Sequence, residues 1–221
     1  MRTIIFDLDG TLADTSGDLI AAANVCFRSL GMAVLLDPEQ DQRIAVMGAR
    51  VMLRVGFERN GVRSDEDEIN KYYPVLLEAY ANDIDRYTTL YPGCISAVER
   101  MTIAGYAVGV CTNKSETLAD DLLVRLGVRD RFGSLVGADT LPVRKPDPAP
   151  LRAAIERVGG DQGRSILVGD SVTDRETARA AGVKSLLVTF GPDGRGVEKL
   201  APDALLHHYD DLDQVVSGLI G

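Results

Sequence analysis

The 221-residue chain has only two histidines, and they are neighbours, His207 and His208. That excludes a histidine-rich metal centre. Its three cysteines, Cys26, Cys94 and Cys111, are odd in number and widely spaced. They fit neither a disulfide framework nor a zinc site, and read as reduced thiols of a cytoplasmic protein. Positive charge is scarce: 24 Lys and Arg face 33 Asp and Glu, for a formal net charge of −9. The deficit argues against nonspecific attachment to nucleic acid or to an anionic membrane. It also requires that any anion site be made positive locally, by a metal, a lysine or backbone N–H groups. No apolar run approaches membrane-spanning length. The N-terminal run is too short for a signal peptide and is cut by Asp7. Internal repeats, low-complexity tracts and long linkers are missing as well.

What is present is ordinary for a globular protein: 45% hydrophobic and 26% charged residues, enough to bury a core without disulfides. Short apolar runs recur at Thr3–Phe6, Ala107–Cys111, Ser134–Val136, Ser165–Val168, Ser185–Val188 and Ala204–Leu206. Near-continuous apolar strands alternating with helical patterns predict an α/β fold with a doubly wound parallel sheet and a Rossmann-like core. The gap between the first two runs is filled by helical periodicity over 14–30, 44–57 and 66–81, with breakers at Gly31, Pro38, Gly61 and Pro92-Gly93. We therefore expect a core of residues 1–13 and 88–221 and an inserted helical cap of residues 14–87.

Ligands of open parallel sheets collect beyond the carboxyl ends of the strands, and four clusters stand there. The first is Asp7-Leu8-Asp9-Gly10-Thr11. Paired carboxylates allow one to serve as nucleophile or metal ligand while the other carries a proton. The same residues also suit a turn that caps the helix entered at Asp14. The second is Thr112-Asn113-Lys114, where a hydroxyl and exposed N–H groups suit phosphate oxygens; a helix cap, with Ser115 as the capping residue, is the alternative. The third is Arg144-Lys145-Pro146-Asp147-Pro148, whose prolines stiffen the segment that carries Lys145. Otherwise it is a solvated basic loop. The fourth is Gly169-Asp170-Ser171-Val172-Thr173-Asp174, where Asp170 and Asp174 suit Mg²⁺ and equally suit a capped helix N-terminus.

In this order, the clusters resemble the motifs of the haloacid dehalogenase-like hydrolase superfamily. D-x-D-G-T is matched by Asp7 to Thr11, the strand ending in Ser or Thr by Thr112, and the motif lysine by Lys145. G-D-S-x-x-D-x-x-x-A-x-x-A-G is matched by Gly169 to Gly182. The segments A-D-T, A-A-A-N, G-A-R-V-M-L and Y-P-G are similar to the phosphoglycolate phosphatase-type subgroup.

The resemblance implies a Mg²⁺-dependent phosphatase of a small phosphorylated metabolite, acting through an aspartyl-phosphate, with phosphoglycolate the leading substrate. It implies that Asp7 attacks phosphorus and that Asp9 protonates the leaving oxygen and then activates water. Thr112 and Asn113 hold phosphoryl oxygens, and Lys145 offsets charge. Metal ligation falls to Asp7, the Asp9 carbonyl and Asp170, with Asp174 acting through water or as a supporting partner. Dehalogenases of the superfamily lack an acid at the place of Asp9, so its presence favours ester hydrolysis. In the cap, Arg50 is the candidate for a carboxylate on the leaving group, or else a solvated arginine at a helix end. Alternatives within the chemistry are a phosphatase of another small metabolite (a sugar phosphate, a nucleotide or pyrophosphate) or a phosphosugar mutase. A catalytically silent interaction module is the rival outside it. Neither a nucleic acid nor a membrane partner is expected, and the chain is expected to be a monomer or homodimer. Cys111, His207 and His208 are expected to be packing or surface residues.

Overall fold

A computed structural model describes all residues, Met1–Gly221. The chain divides into two compact units: Met1–Ala13 with Leu90–Gly221, and Asp14–Thr89.

The first unit is built on a six-stranded sheet. Its strands are β1 (Thr3–Phe6), β4 (Ala107–Cys111), β5 (Ser134–Val136), β6 (Ser165–Gly169), β7 (Lys184–Val188) and β8 (Ala204–Leu206). The order is β5-β4-β1-β6-β7-β8, and every pairing is parallel. All four β1 residues are fully buried, as a central strand covered on both faces demands. Its register sets Phe6 beside Val110 on one side and Val168 on the other. The strand order reverses at β1, so Asp7, the next residue, emerges at the topological switch point.

Helices α7 (Pro148–Arg157) and α8 (Val172–Ala181) cover the face on which Ile5, Cys111 and Leu167 join Leu151, Ile155 and Ala178 in one apolar cluster. Helices α5 (Cys94–Ile103) and α9 (Leu212–Ile220) pack on each other and on β4, β6 and β8. Helix α6 (Glu116–Arg125) follows β4. Ser115 caps it by accepting from Leu118 N.

The second unit is helical: α1 (Ser16–Ser29), α2 (Gln42–Val46), α3 (Ala49–Arg59) and α4 (Glu66–Asn82). Phe27 of α1 meets Phe57 of α3 edge-on, with ring centroids 6.1 Å apart. The helix α4 starts where the acidic run begins, capped by Asp65, which accepts from Glu68 N. The continuous helix expected over 44–57 is instead two, because Gly48 adopts φ 101° and ψ 163°. That backbone is open essentially to glycine alone. Two-residue strands β2 (Ala13–Asp14) and β3 (Thr89–Leu90) pair where the chain passes from one unit to the other. They are too short to leave a periodic trace in sequence. No helix is long and apolar enough to cross a membrane.

Candidate active site

Every side chain of the four strand-end clusters that carries the site belongs to the sheet unit. Asp7 extends the β1 ladder by one bond, its N–H donating to the Val168 carbonyl at 2.8 Å. This pins its Cα, and the carboxylate is pinned as well. Asp7 Oδ1 accepts from Leu8 N at 2.7 Å and lies 3.1 Å from Lys145 Nζ. The loop then turns through Gly10 at φ 79°. A Cβ there would sit 2.4 Å from Asp170 Oδ2, so both the turn and the neighbouring carboxylate require glycine. Thr11 Oγ1 donates to Asp170 Oδ1 at 3.2 Å. The fully buried Tyr209 donates its hydroxyl to the Thr11 carbonyl at 2.8 Å.

Asp174 sits at the centre of the charge network. Its Oδ1 accepts from Lys145 Nζ at 2.7 Å. Its Oδ2 accepts from Asp170 N at 3.2 Å, Ser171 N at 3.1 Å and Ser171 Oγ at 2.6 Å. Ser171 in turn accepts from Asp174 N, completing a capping box at the start of α8. Capping the helix and holding Lys145 are thus one arrangement, and of the two alternatives posed by the sequence the helix cap is the one realised by Ser171 and Asp174. With both oxygens so engaged, Asp174 orients Lys145 and the Asp170 loop. Lys145 itself is 2% exposed, held on two carboxylates, and its chain segment is tied by Asn113 Nδ2 donating to the Lys145 carbonyl at 3.0 Å. Thr112, also 2% exposed, continues β4 through a bond from its N–H to Val136 O.

One carboxylate oxygen from each of Asp7, Asp170 and Asp174 lies within 4.8 Å of the others. Burial pushes the Asp7 carboxyl up to about 7; Lys145 opposes this, and the charges of Asp174 and Asp9 add to it. Burial likewise raises Asp170 well above the usual carboxylate range, with Asp174 and Asp7 contributing. For Lys145, burial acts to lower the value, but the charges of Asp174 and Asp7 prevail and keep the ammonium protonated. Asp7 and Asp170, hard oxygen donors crowded beside Asp174 and its lysine, suit a divalent cation such as Mg²⁺, whose charge would relieve their repulsion.

The Asp9 carboxylate stands apart from that trio. Its Oδ1 lies 2.9 Å from Lys114 Nζ, whose side chain is only 5% exposed. The sequence names Lys114 in the second cluster but gives it no role of its own. The available signal was its position directly behind Thr112-Asn113 at a strand end. Thr11 stands in the first cluster without a role of its own, and for Tyr209 the sequence carries no signal, since it reaches Thr11 only through the fold. Arg50 stands in the helical unit, in the first turn of α3. Its Nη2 donates to Asn70 Oδ1 at 2.7 Å, its Nη1 lies 3.5 Å from Glu66, and the guanidinium sits 4.8 Å over the Tyr73 ring. Cys111 is fully buried, and burial pushes its thiol up to about 12, as suits a packing residue. His207 and His208 are exposed.

The strand-end clusters and the reversed strand order together gather carboxylates and a buried lysine at the switch point of a parallel α/β sheet. The chain belongs to the haloacid dehalogenase-like hydrolases, whose family profile matches residues 4–188. It is 38% identical over 211 residues to a phosphoglycolate phosphatase of Mesorhizobium japonicum, covering 95% of this chain and 92% of that one. It is 36% identical to a phosphoglycolate phosphatase of Caulobacter vibrioides, over 99% of this chain and 92% of the other. A solved structure described as a predicted phosphoglycolate phosphatase, from Haemophilus somnus 129PT, superposes with a TM-score of 0.86 at 24% identity, covering 97% of each chain. Within this family the present chain is a phosphoric monoester hydrolase.

Proposed function

We propose that the chain hydrolyses 2-phosphoglycolate to glycolate and phosphate in the cytoplasm, with Mg²⁺ as cofactor and a phosphorylated Asp7 as intermediate. The observation that carries the reaction is the Asp7–Lys145–Asp174 network beside Asp170. The substrate rests on the names carried by full-length relatives.

Asp7 attacks phosphorus and the bond to the leaving oxygen breaks. Asp9 gives that oxygen a proton, then takes one from the water that hydrolyses the acyl phosphate. Thr112 and the backbone around Asn113 hold phosphoryl oxygens, and Lys145 offsets their charge. Asp7, the Asp9 carbonyl and Asp170 would hold Mg²⁺, which supplies neutralisation of phosphoryl charge. Asp174 keeps Lys145 aimed at Asp7. Arg50 enters as a substrate contact only by exchanging Asn70 and Glu66 for the leaving group. Unchanged KM for phosphoglycolate in Arg50→Ala removes it from the site.

Phosphate release from a panel of phosphorylated metabolites, with and without Mg²⁺, tests the proposal. Phosphoglycolate should lead the panel and activity should require the ion. Asp7→Asn should lose turnover by about 10³-fold or more with an unchanged circular dichroism spectrum. Near-normal turnover there would remove Asp7 as the nucleophile.

A further inference from the structure

The mechanism above makes no use of Lys114, yet its ammonium is almost completely withdrawn from water. A lysine in that state requires anionic company, and Asp9 Oδ1 supplies it at 2.9 Å. The backbone that carries Lys114 is held on both sides. Its N–H donates to Thr112 Oγ1 at 3.2 Å, and its carbonyl accepts from Ala138 N at 2.9 Å. Ser115 immediately caps α6, so the residue leaves a rigid turn. The other buried lysine, Lys145, is committed to Asp7 and Asp174 on the phosphoryl side.

We propose that Lys114 is the residue that selects the leaving group, binding a carboxylate on the departing alcohol by exchanging Asp9 for the substrate. The inference rests on the phosphatase reading and on its assignment of Asp9 to the leaving oxygen. The exchange is chemically matched, because the contact that Lys114 now makes is already a carboxylate contact. It is also matched in place. In 2-phosphoglycolate the carboxylate is attached to the carbon that bears the leaving oxygen. A cation that touches the acid serving that oxygen is therefore within reach of both. With a net charge of −9, the chain repels at long range a substrate that carries both a phosphate and a carboxylate. A cation committed to the leaving-group end gives such a substrate a reason to bind over an uncharged alkyl phosphate. The two buried lysines thus divide the substrate, Lys145 taking the phosphoryl end and Lys114 the carboxylate end.

Steady-state kinetics of the full chain with Mg²⁺, on 2-phosphoglycolate and on ethyl phosphate, test this. Ethyl phosphate is the same ester with methyl in place of carboxylate. The wild type should prefer phosphoglycolate. Lys114→Met should lower the ratio of kcat/KM values by about tenfold or more, mostly through KM, and Lys114→Arg should restore much of it. Each ratio is taken within one preparation, so a misfolded fraction cancels. A preference that survives in Lys114→Met overturns the inference alone. A wild type without the preference overturns both the inference and the phosphoglycolate assignment, while leaving the phosphatase chemistry standing.

Discussion

At the scale of single residues, the site is a problem of crowded negative charge. The Asp7 carboxyl is pushed up to about 7 by burial, against the pull of Lys145 and with the charges of Asp174 and Asp9 adding to it. Asp170 is raised for similar reasons. A divalent cation favours the ionised forms of both, so binding Mg²⁺ must displace protons, and affinity should climb as pH rises from about 6 to about 8. Calorimetric titration in two buffers of different ionisation enthalpy counts those protons. A count of zero at pH 7 would contradict the raised Asp7. Tyr209 should act on the same ion from a distance, because its hydroxyl holds Thr11, which holds Asp170. Tyr209→Phe should weaken Mg²⁺ binding about threefold to tenfold and cost about 1 kcal/mol of stability. Calorimetry and thermal unfolding read the two effects separately.

At the scale of elements, the decisive features are ends and breaks. The helix α8 begins with a capping box whose Asp174 also steers Lys145. Ser171→Ala should therefore cost about 1 kcal/mol and lower kcat as well, a pairing that a solvent-exposed cap would not show. Comparing thermal unfolding with kcat in the same protein makes the distinction. Gly48 separates α2 from α3 at φ 101°, and a Cβ there would meet no atom within 4 Å. The cost of Gly48→Ala is thus purely a backbone cost, about 1 to 3 kcal/mol. A melting midpoint unchanged from wild type would mean that the break can be straightened without penalty.

At the scale of the molecule, stability and pH are coupled through the same carboxylates. A carboxyl whose value is raised on folding holds its proton in the folded state above the pH at which the unfolded chain releases it. Its contribution to stability is therefore present at low pH and is lost as pH rises from about 4 to about 7. The metal-free chain should lose stability over that interval, and saturating Mg²⁺ should restore more of it at pH 8 than at pH 6. Thermal unfolding at the two pH values, with EDTA or with Mg²⁺, checks the sign. A stabilisation by Mg²⁺ that is larger at pH 6 would be inconsistent with the donor set described.

The sequence by itself determined the fold class and marked which strand ends carry the residues of the candidate site. Asp7, Thr112, Lys145 and Asp170 were legible because each stands directly after an apolar run, and a parallel sheet delivers all its carboxyl ends to one edge. The motif spacing then pointed to phosphoryl chemistry. Local signals could not say which partner each side chain would choose. Asp174 was legible as a site residue, but only the packed loop shows that its two oxygens are divided between Lys145 and the α8 cap. Asn113 was expected at phosphate and is found holding the Lys145 segment by its side-chain amide. Lys114 and Tyr209 belong to the site because the fold carries them to Asp9 and Thr11, across sequence distances at which no local pattern operates. The order in which charged groups leave water is set by tertiary packing, since desolvation and pairing depend on every neighbour at once. That is why the position of Asp7 at a strand end could be read from the chain, while the pairing of Lys114 with Asp9 was decided only in three dimensions.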